Sequence, residues 1–352
     1  MRMWYCVWMV CIGLCSTGFA QNRHAQNISD GVLEGWVVGE FSRPIEQISP
    51  SSTHELENIL IEWLRFPQPP ADLRYNLSLR EFQGFDPKLG TETYRYPVAT
   101  DTLDFNVDVS VRATSSGWEA YRVRVIPPVD DVPVWLSGPG AFVVFSLLSL
   151  WMLVELLRPS GLRLLLGRAI EQVKPYKKIV WVTHILLYGS FILGAVIALG
   201  FSNLSKEVAD WLSGNVEGWV KGSGFVFPQL TLYWNFLEGA VGNAFIPGVF
   251  LGIPALLIGV LRLWVMGFAF SPAGMPWLTY LLHIPMLVVE LQAYSFIVIS
   301  ALVGAIRTFK VGWWKALNGY GYSLIPAFVL LWIAAWYEAA ISFLMPWIGG
   351  AH

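Results

Sequence analysis

Residues 134–178 read VWLSGPGAFVVFSLLSLWMLVELLRPSGLRLLLGRAIEQVKPYKK, and this stretch decides the fold. Its first part, 134–157, holds a single ionisable residue, Glu155, in a run long enough to cross about 30 Å of hydrocarbon as a helix. Its second part, 158–178, carries Arg158, Arg163, Arg168, Lys174, Lys177 and Lys178 against Glu171 alone. A segment this basic beside a membrane span stays in the cytoplasm under the positive-inside rule. The span therefore runs from outside to inside, and the chain before it lies outside.

The N-terminus gives the same orientation independently. Residues 1–20 carry Arg2, an apolar stretch and then Gly18 and Ala20, an arrangement that reads as a signal peptide cleaved before Gln21, with a retained anchor as the alternative. Either way, residue 21 onward begins outside. Cys6, Cys11 and Cys15 are the only cysteines, so cleavage leaves no thiol for a disulfide, a metal or nucleophilic catalysis. Of the whole chain 55% is hydrophobic and 14% charged, against about 25% charged in an average soluble domain, which agrees with a membrane protein. A net charge of −2 gives no basic domain for nucleic acid.

Residues 21–133 are ordinary in polarity and read as a small exported β-rich domain. Period-two alternation is clear at 103–111 and 121–125, and weaker at 33–41 and 75–82. Residues 53–66 read as a helix, with Leu56, Ile59, Leu60 and Trp63 on one face. His54, Glu55 and Glu57 are the one grouping of metal-ligand types, and a polar helix start accounts for them better. The N-x-S sequons at Asn27, Asn76 and Asn203 are chance matches outside a eukaryotic secretory host. The prolines and aspartates of 127–133 read as a stiff linker.

After the basic segment, 179–201 is a second span, and 202–228 with 229–242 reads as an amphipathic helix on the outer surface. Residues 244–306 are nearly uncharged apart from Arg262, His283 and Glu290. Two long helices there would put Arg307, Lys310 and Lys315 outside; three, at 244–262, 263–282 and 284–306, put them and Arg262 inside. The three-helix reading obeys the charge rule. It leaves the middle element interrupted at Ser271-Pro272-Ala273-Gly274 and places Arg262 at the inner boundary. A last span at 321–346 makes six, comprising the first span and a five-span core at 179–346, with the tail 347–352 outside. The expected architecture is thus mainly α: a polytopic transmembrane bundle carrying an N-terminal β-rich head, in a bacterial inner membrane.

Within the bundle Gly248 and Gly252 form a G-x-x-x-G, and Gly194 and Ala198 a looser pair, as faces where helices approach closely. Glu290 and Glu338 are intramembrane carboxylates, with His283 near the same end of its span. Each is either part of a polar functional site or a tie between helices. There is no metal, phosphate or nucleophile motif, so neither cofactor nor enzymatic activity is expected.

Several features of 177–346 occur in a fixed order. They are Lys177-Lys178-Ile179, then Trp234-Asn235-Phe236, then the Gly-rich stretch 244–259, then Glu290-Leu291-Gln292-Ala293 followed by Ala301-Leu302-Val303-Gly304, and last Ala334-Ala335-Trp336-Tyr337-Glu338-Ala339. This half resembles the stage II sporulation protein M family of membrane proteins. The family pattern Pro-His-Gly-x-x-Glu-Leu-x-Ala is met at Pro285, Glu290, Leu291 and Ala293, while its His and Gly positions are Met286 and Leu287 here. The resemblance implies a five-span core and a non-catalytic role in a membrane assembly, with other subunits and the lipid bilayer as partners. The expected function is therefore a scaffold or subunit of a plasma-membrane complex whose head binds partners outside; a proton-linked transporter using Glu290 and Glu338 is the alternative.

Overall fold

The computed structural model describes residues 23–41, 52–70, 72–87, 89–101, 103–126, 136, 139–217, 228–275 and 277–349. The signal segment 1–20 with its cysteines, the linker 127–133 and the end of the tail lie outside the described residues. The chain forms two compact units, Met1–Pro128 and Val129–His352.

The first unit is an antiparallel sheet with helices. Helix α1 (Arg23–Val37) and helix α2 (Thr53–Arg65) precede strands β1 (Arg74–Tyr75), β2 (Glu81–Asp86), β3 (Thr91–Ala99), β4 (Asp104–Thr114) and β5 (Gly117–Ile126). The order is β1-β3-β4-β5, and β2 pairs with β3 as well. Alternation dictates the buried face. Tyr94, Tyr96 and Val98 of β3 lie opposite Val109, Val107 and Phe105 of β4, and Val123 continues the row on β5. Helix α1 covers this face with Ala25, Val32, Leu33 and Trp36, spaced for one side of a helix. The weak strand reading of 33–41 is corrected accordingly, because a spacing of three and four outweighs local alternation there. The 75–82 stretch is likewise not one strand: a 3-10 turn at Leu77–Leu79 separates β1 from β2. Strand β3 escaped the sequence reading because Pro97 interrupts it. Pro97 sits where β1 and β2 leave that edge of β3 unpaired, a position at which a strand tolerates proline.

Polar ties fix α1 to the sheet. Tyr96 Oη lies 2.8 Å from both Asp30 Oδ1 and Ser29 Oγ, and Arg80 pairs with Asp30 at 2.5 Å. Trp36 is fully buried, and its Nε1 donates to Pro67 O at 2.5 Å.

The second unit is helical. Helices α3 (Pro139–Leu157), α4 (Gly161–Val173), α5 (Lys177–Gly200) and α6 (Ser202–Glu217) are followed by α7 (Pro228–Trp234), which widens into a π-helix at Asn235–Phe245 and ends at Ile246–Gly248. Then come α8 (Ile253–Ala269), α9 (Trp277–Val311), α10 (Trp313–Gly321) and α11 (Leu324–Gly349). Among the described residues four helical runs are long and apolar enough to cross a membrane: Pro139–Leu157, Lys177–Gly200, Trp277–Val311 and Trp313–Leu344, the last counting α10 and α11 together. Helix α8 is apolar but has only 17 residues. By length and composition such helices fit a membrane protein.

The breaks expected near Arg262 and His283 are absent. Helix α8 runs through Arg262, and α9 runs unbroken through His283 and Pro285, so 244–262, 263–282 and 284–306 are not the helices. The first break is at 249–252, where Leu251 and Gly252 take positive φ of 60° and 76°. The second, after Ala269, is the expected Ser-Pro-Ala-Gly interruption. Pro285 removes the helical bond to Leu281 O, and beside this point a neighbouring helix adds a bond, Tyr337 Oη donating to Leu282 O at 3.1 Å. Nor is 229–242 a surface helix, since Leu230, Leu232, Gly239 and Ala240 are buried in the bundle.

Side-chain meetings give the direction of each segment. Descending 228–248, Asn235 meets Glu290, Gly239 meets Tyr294 and Gly248 meets Ala301, so this segment runs parallel to α9. Ascending α8, Gly252 meets Leu302, Gly259 meets Leu187 and Val298, and Gly267 meets Phe191, so α8 runs parallel to α5. Segment 228–248 and α8 therefore form an antiparallel hairpin. The contact of α5 with α8 is backbone on backbone: a Cβ on Gly194 would lie 2.1 Å from Trp264 O, and one on Gly267 1.9 Å from Phe191 O. Ala198 is buried on the same face of α5 as Gly194.

Two outcomes are expected. Gly267→Val forces α5 and α8 apart and lowers the thermal stability of the detergent-purified chain by more than Gly200→Val, a site with open space around it; equal effects would refute the contact. In the head, burial pushes the Tyr94 and Tyr96 phenols up. A folded value above the unfolded one, about 10, means stability that is complete at lower pH and is lost as pH rises past it. Head unfolding followed against pH should steepen above about pH 10, and less so in Tyr96→Phe.

Candidate functional site

The densest polar constellation inside the helical unit gathers on four segments. Glu290 of α9 is 5% exposed, and Asn235 Nδ2 donates to its Oε1. Asn235 opens the π-helical stretch, so the backbone widens where its side chain turns toward α9. π-Helical turns recur at functional positions. Tyr294, one helical turn from Glu290, carries the Arg262 guanidinium 5.1 Å from its ring centroid. Glu338 of α11 bonds Thr231 of α7, and Glu290 lies within electrostatic reach of both Glu338 and Arg262.

One cation, two carboxylates, an amide, a hydroxyl and a phenol are thus brought together across 228–248, α8, α9 and α11. Hydrocarbon offers none of these groups a partner, so each must find one in the protein. Beside them Gly239, Asn243, Gly259, Arg262 and Tyr294 line a small cavity with room for roughly one water molecule. An arrangement of this kind can bind helices together, hold a proton or cation, or both.

The structure joins Glu290 and Glu338 in one site but leaves His283 out of it. His283 Nδ1 makes a local contact with Thr279 O at 2.7 Å. Arg262, read from sequence as an inner-boundary residue, is instead in mid-bundle. Asn235, Thr231 and Tyr294 were not foreseen. The signals at hand were the i, i+4 spacing of Glu290 and Tyr294 and the quoted Trp234-Asn235-Phe236, but Asn235 and Thr231 lay in a segment read as a surface helix. A second polar tie, also unforeseen, links α5 to α9: Gln292 Oε1 lies 3.1 Å from Tyr188 Oη and 3.2 Å from His184 Nε2. Helix α3 is held by Ser149 Oγ, which accepts from Trp332 Nε1 at 2.8 Å and Trp336 Nε1 at 2.9 Å.

The glycines lie at close contacts. Gly248 abuts Tyr320 and Ala301, and Gly252 abuts the backbone of Ala301 and Leu302, although a turn rather than one helix joins them. In the head, His54, Glu55 and Glu57 form no centre: the His54 side chain is 80% exposed, and its contact to Glu57 is 3.7 Å. Among the described residues no group of three or more His, Cys, Asp and Glu could hold a metal ion. No family model, curated protein or solved structure matches the chain.

Replacing Asn235 by Ala leaves a buried carboxylate without its donor and should cost about 1–3 kcal/mol. Glu290→Gln should cost less, because an amide can still bond Asn235. The double variant should cost less than the sum of the singles; strict additivity in detergent thermal unfolding would refute the pairing.

Proposed function

We propose that this chain is a non-catalytic scaffold subunit of a bacterial plasma-membrane complex, with its head outside. The observation that carries the reading is that the intramembrane carboxylates are tied to neighbouring helices, Glu290 to Asn235 and Glu338 to Thr231. Bonds of this kind hold a bundle in one arrangement. The resemblance of 177–346 to the stage II sporulation protein M family points to the same role.

The proposed topology has six crossings: α3, α5, 228–248, α8, α9 and α11. Supporting it, the alternating directions of the last five bring 158–178 and 307–315 to one end of the bundle, where Arg307 Nη1 donates to Gln172 Oε1 at 2.9 Å. Both basic segments then lie in the cytoplasm, as the charge rule requires. A second reading, a proton-linked transporter, is favoured by the excess of carboxylates over cations around Glu290.

In a background lacking Cys6, Cys11 and Cys15, Asn203→Cys should react with an impermeant thiol reagent on intact spheroplasts. Lys310→Cys should react only after permeabilisation, and labelling of Lys310→Cys from outside would sink the topology. Glu290→Gln and Glu338→Gln should lose co-purifying subunits. If those subunits stay bound while pH-gradient-driven uptake in reconstituted vesicles is lost, the transporter reading replaces the scaffold.

A further inference from the structure

The end of the bundle where the two basic segments meet carries more charge than its own structure uses. Arg158, Arg163, Arg168, Lys174, Lys177, Lys178, Arg307, Lys310 and Lys315 face a single carboxylate in these segments, Glu171. Among the described residues, Arg158 alone of these cations has an ion pair, with Glu155. The rest repel one another, an arrangement that favours an anion from outside the chain.

Two segments far apart in sequence are fixed here by packing. Val173 packs with Ile299 and Val303, joined by Tyr176 and Ile179, so the α4–α5 junction sits against α9. Above this contact Lys310 Nζ lies 5.9 Å from the Tyr176 ring centroid. Tyr176 immediately precedes Lys177 and Lys178, so Lys310 is brought close to the segment that bears the other two lysines. The surroundings indicate what kind of anion. Phe309 and Trp314 are 85% and 79% exposed. Helix α4 exposes Leu164 next to Arg163 and Ile170 two residues after Arg168. Exposed aromatic and aliphatic side chains interleaved with cations mark a membrane–water boundary, where the anions at hand are lipid phosphates.

We infer that the junction of α4 and α5 with the end of α9 is a binding site for an anionic phospholipid, its phosphate held among Lys177, Lys178 and Lys310. Basic pockets between helix ends on the cytoplasmic side bind such headgroups. The Tyr176 ring stands between the two lysine-bearing segments and spaces them. The site goes beyond the scaffold reading and holds equally for a transporter, so neither proposal falls with the other.

Native mass spectrometry of the full chain in mild detergent, with phosphatidylglycerol and phosphatidylcholine of matched chains added in equal amounts, provides the test. The wild type should retain phosphatidylglycerol preferentially. The triple variant K177Q/K178Q/K310Q should lower the retained ratio of the two lipids roughly tenfold, with Lys310→Gln alone giving a smaller fall in the same direction. R163Q/R168Q, which alters charge only on α4, should leave the ratio near wild type. All five positions are exposed, so none of these changes should unfold the chain. Equal retention of both lipids by the wild type would overturn the inference. So would an equal fall in R163Q/R168Q, which would mean diffuse attraction without a site. An unchanged lipid ratio in the triple variant with loss of a co-purifying acidic protein would reassign the surface to that protein.

Discussion

A carboxylate inside hydrocarbon has no water to turn to, and that constraint organises the helical unit. Glu290 is buried in α9, so something must be aimed at it, and Asn235 is. This contact accounts for the position of 228–248, a segment too polar to be held by lipid-facing composition alone. It also accounts for the place of the π-helical widening. Once 228–248 is set beside α9, the turn at 249–252 returns the chain as α8, and Arg262 falls over Tyr294. The remaining interhelical bonds, Gln292 to α5, Ser149 to α11 and Tyr337 to the backbone near Pro285, repeat the same solution around the bundle.

Close packing complements the polar ties. With no hydrophobic drive between helices in lipid, association depends on contact area and on backbones that can approach. Gly194 and Gly267 supply that approach for α5 and α8, where any side chain would collide with a carbonyl. The short α8 thereby gains a neighbour along much of its length. Another face meets α9 and the π-helical segment, while Ile253, Leu257 and Leu261 stay exposed.

How much of this the sequence discloses depends on whether a signal is local. Helices α3 and α5 are uninterrupted apolar runs flanked by charge, and both were legible. So were β4 and β5, through strict alternation, and α2, through its apolar face. Glu290 and Glu338 stood out as carboxylates in apolar surroundings. Their partners did not, because Asn235 and Thr231 look ordinary until the fold sets them opposite a carboxylate. The helix breaks were misplaced for a related reason. Leu251 with a positive φ leaves no mark in sequence, whereas Pro285 leaves a strong mark and breaks nothing. In the head, α1 was misread because its turn-spaced apolar residues also alternate locally, and β3 was missed because Pro97 breaks the pattern without breaking the strand.

The hairpin of 228–248 and α8 bears on how the protein is made. One arm carries Asn235, Glu238 and Asn243, and the other carries Arg262, whose transfer to the centre of a bilayer costs about 2.5–3.5 kcal/mol on insertion scales. Neither arm is a strong signal for the insertion machinery by itself. Their partners are α5, earlier in the chain, and α9 with Glu290 and Tyr294, later in it. The hairpin's second wall, α9, is therefore synthesised only after the hairpin itself.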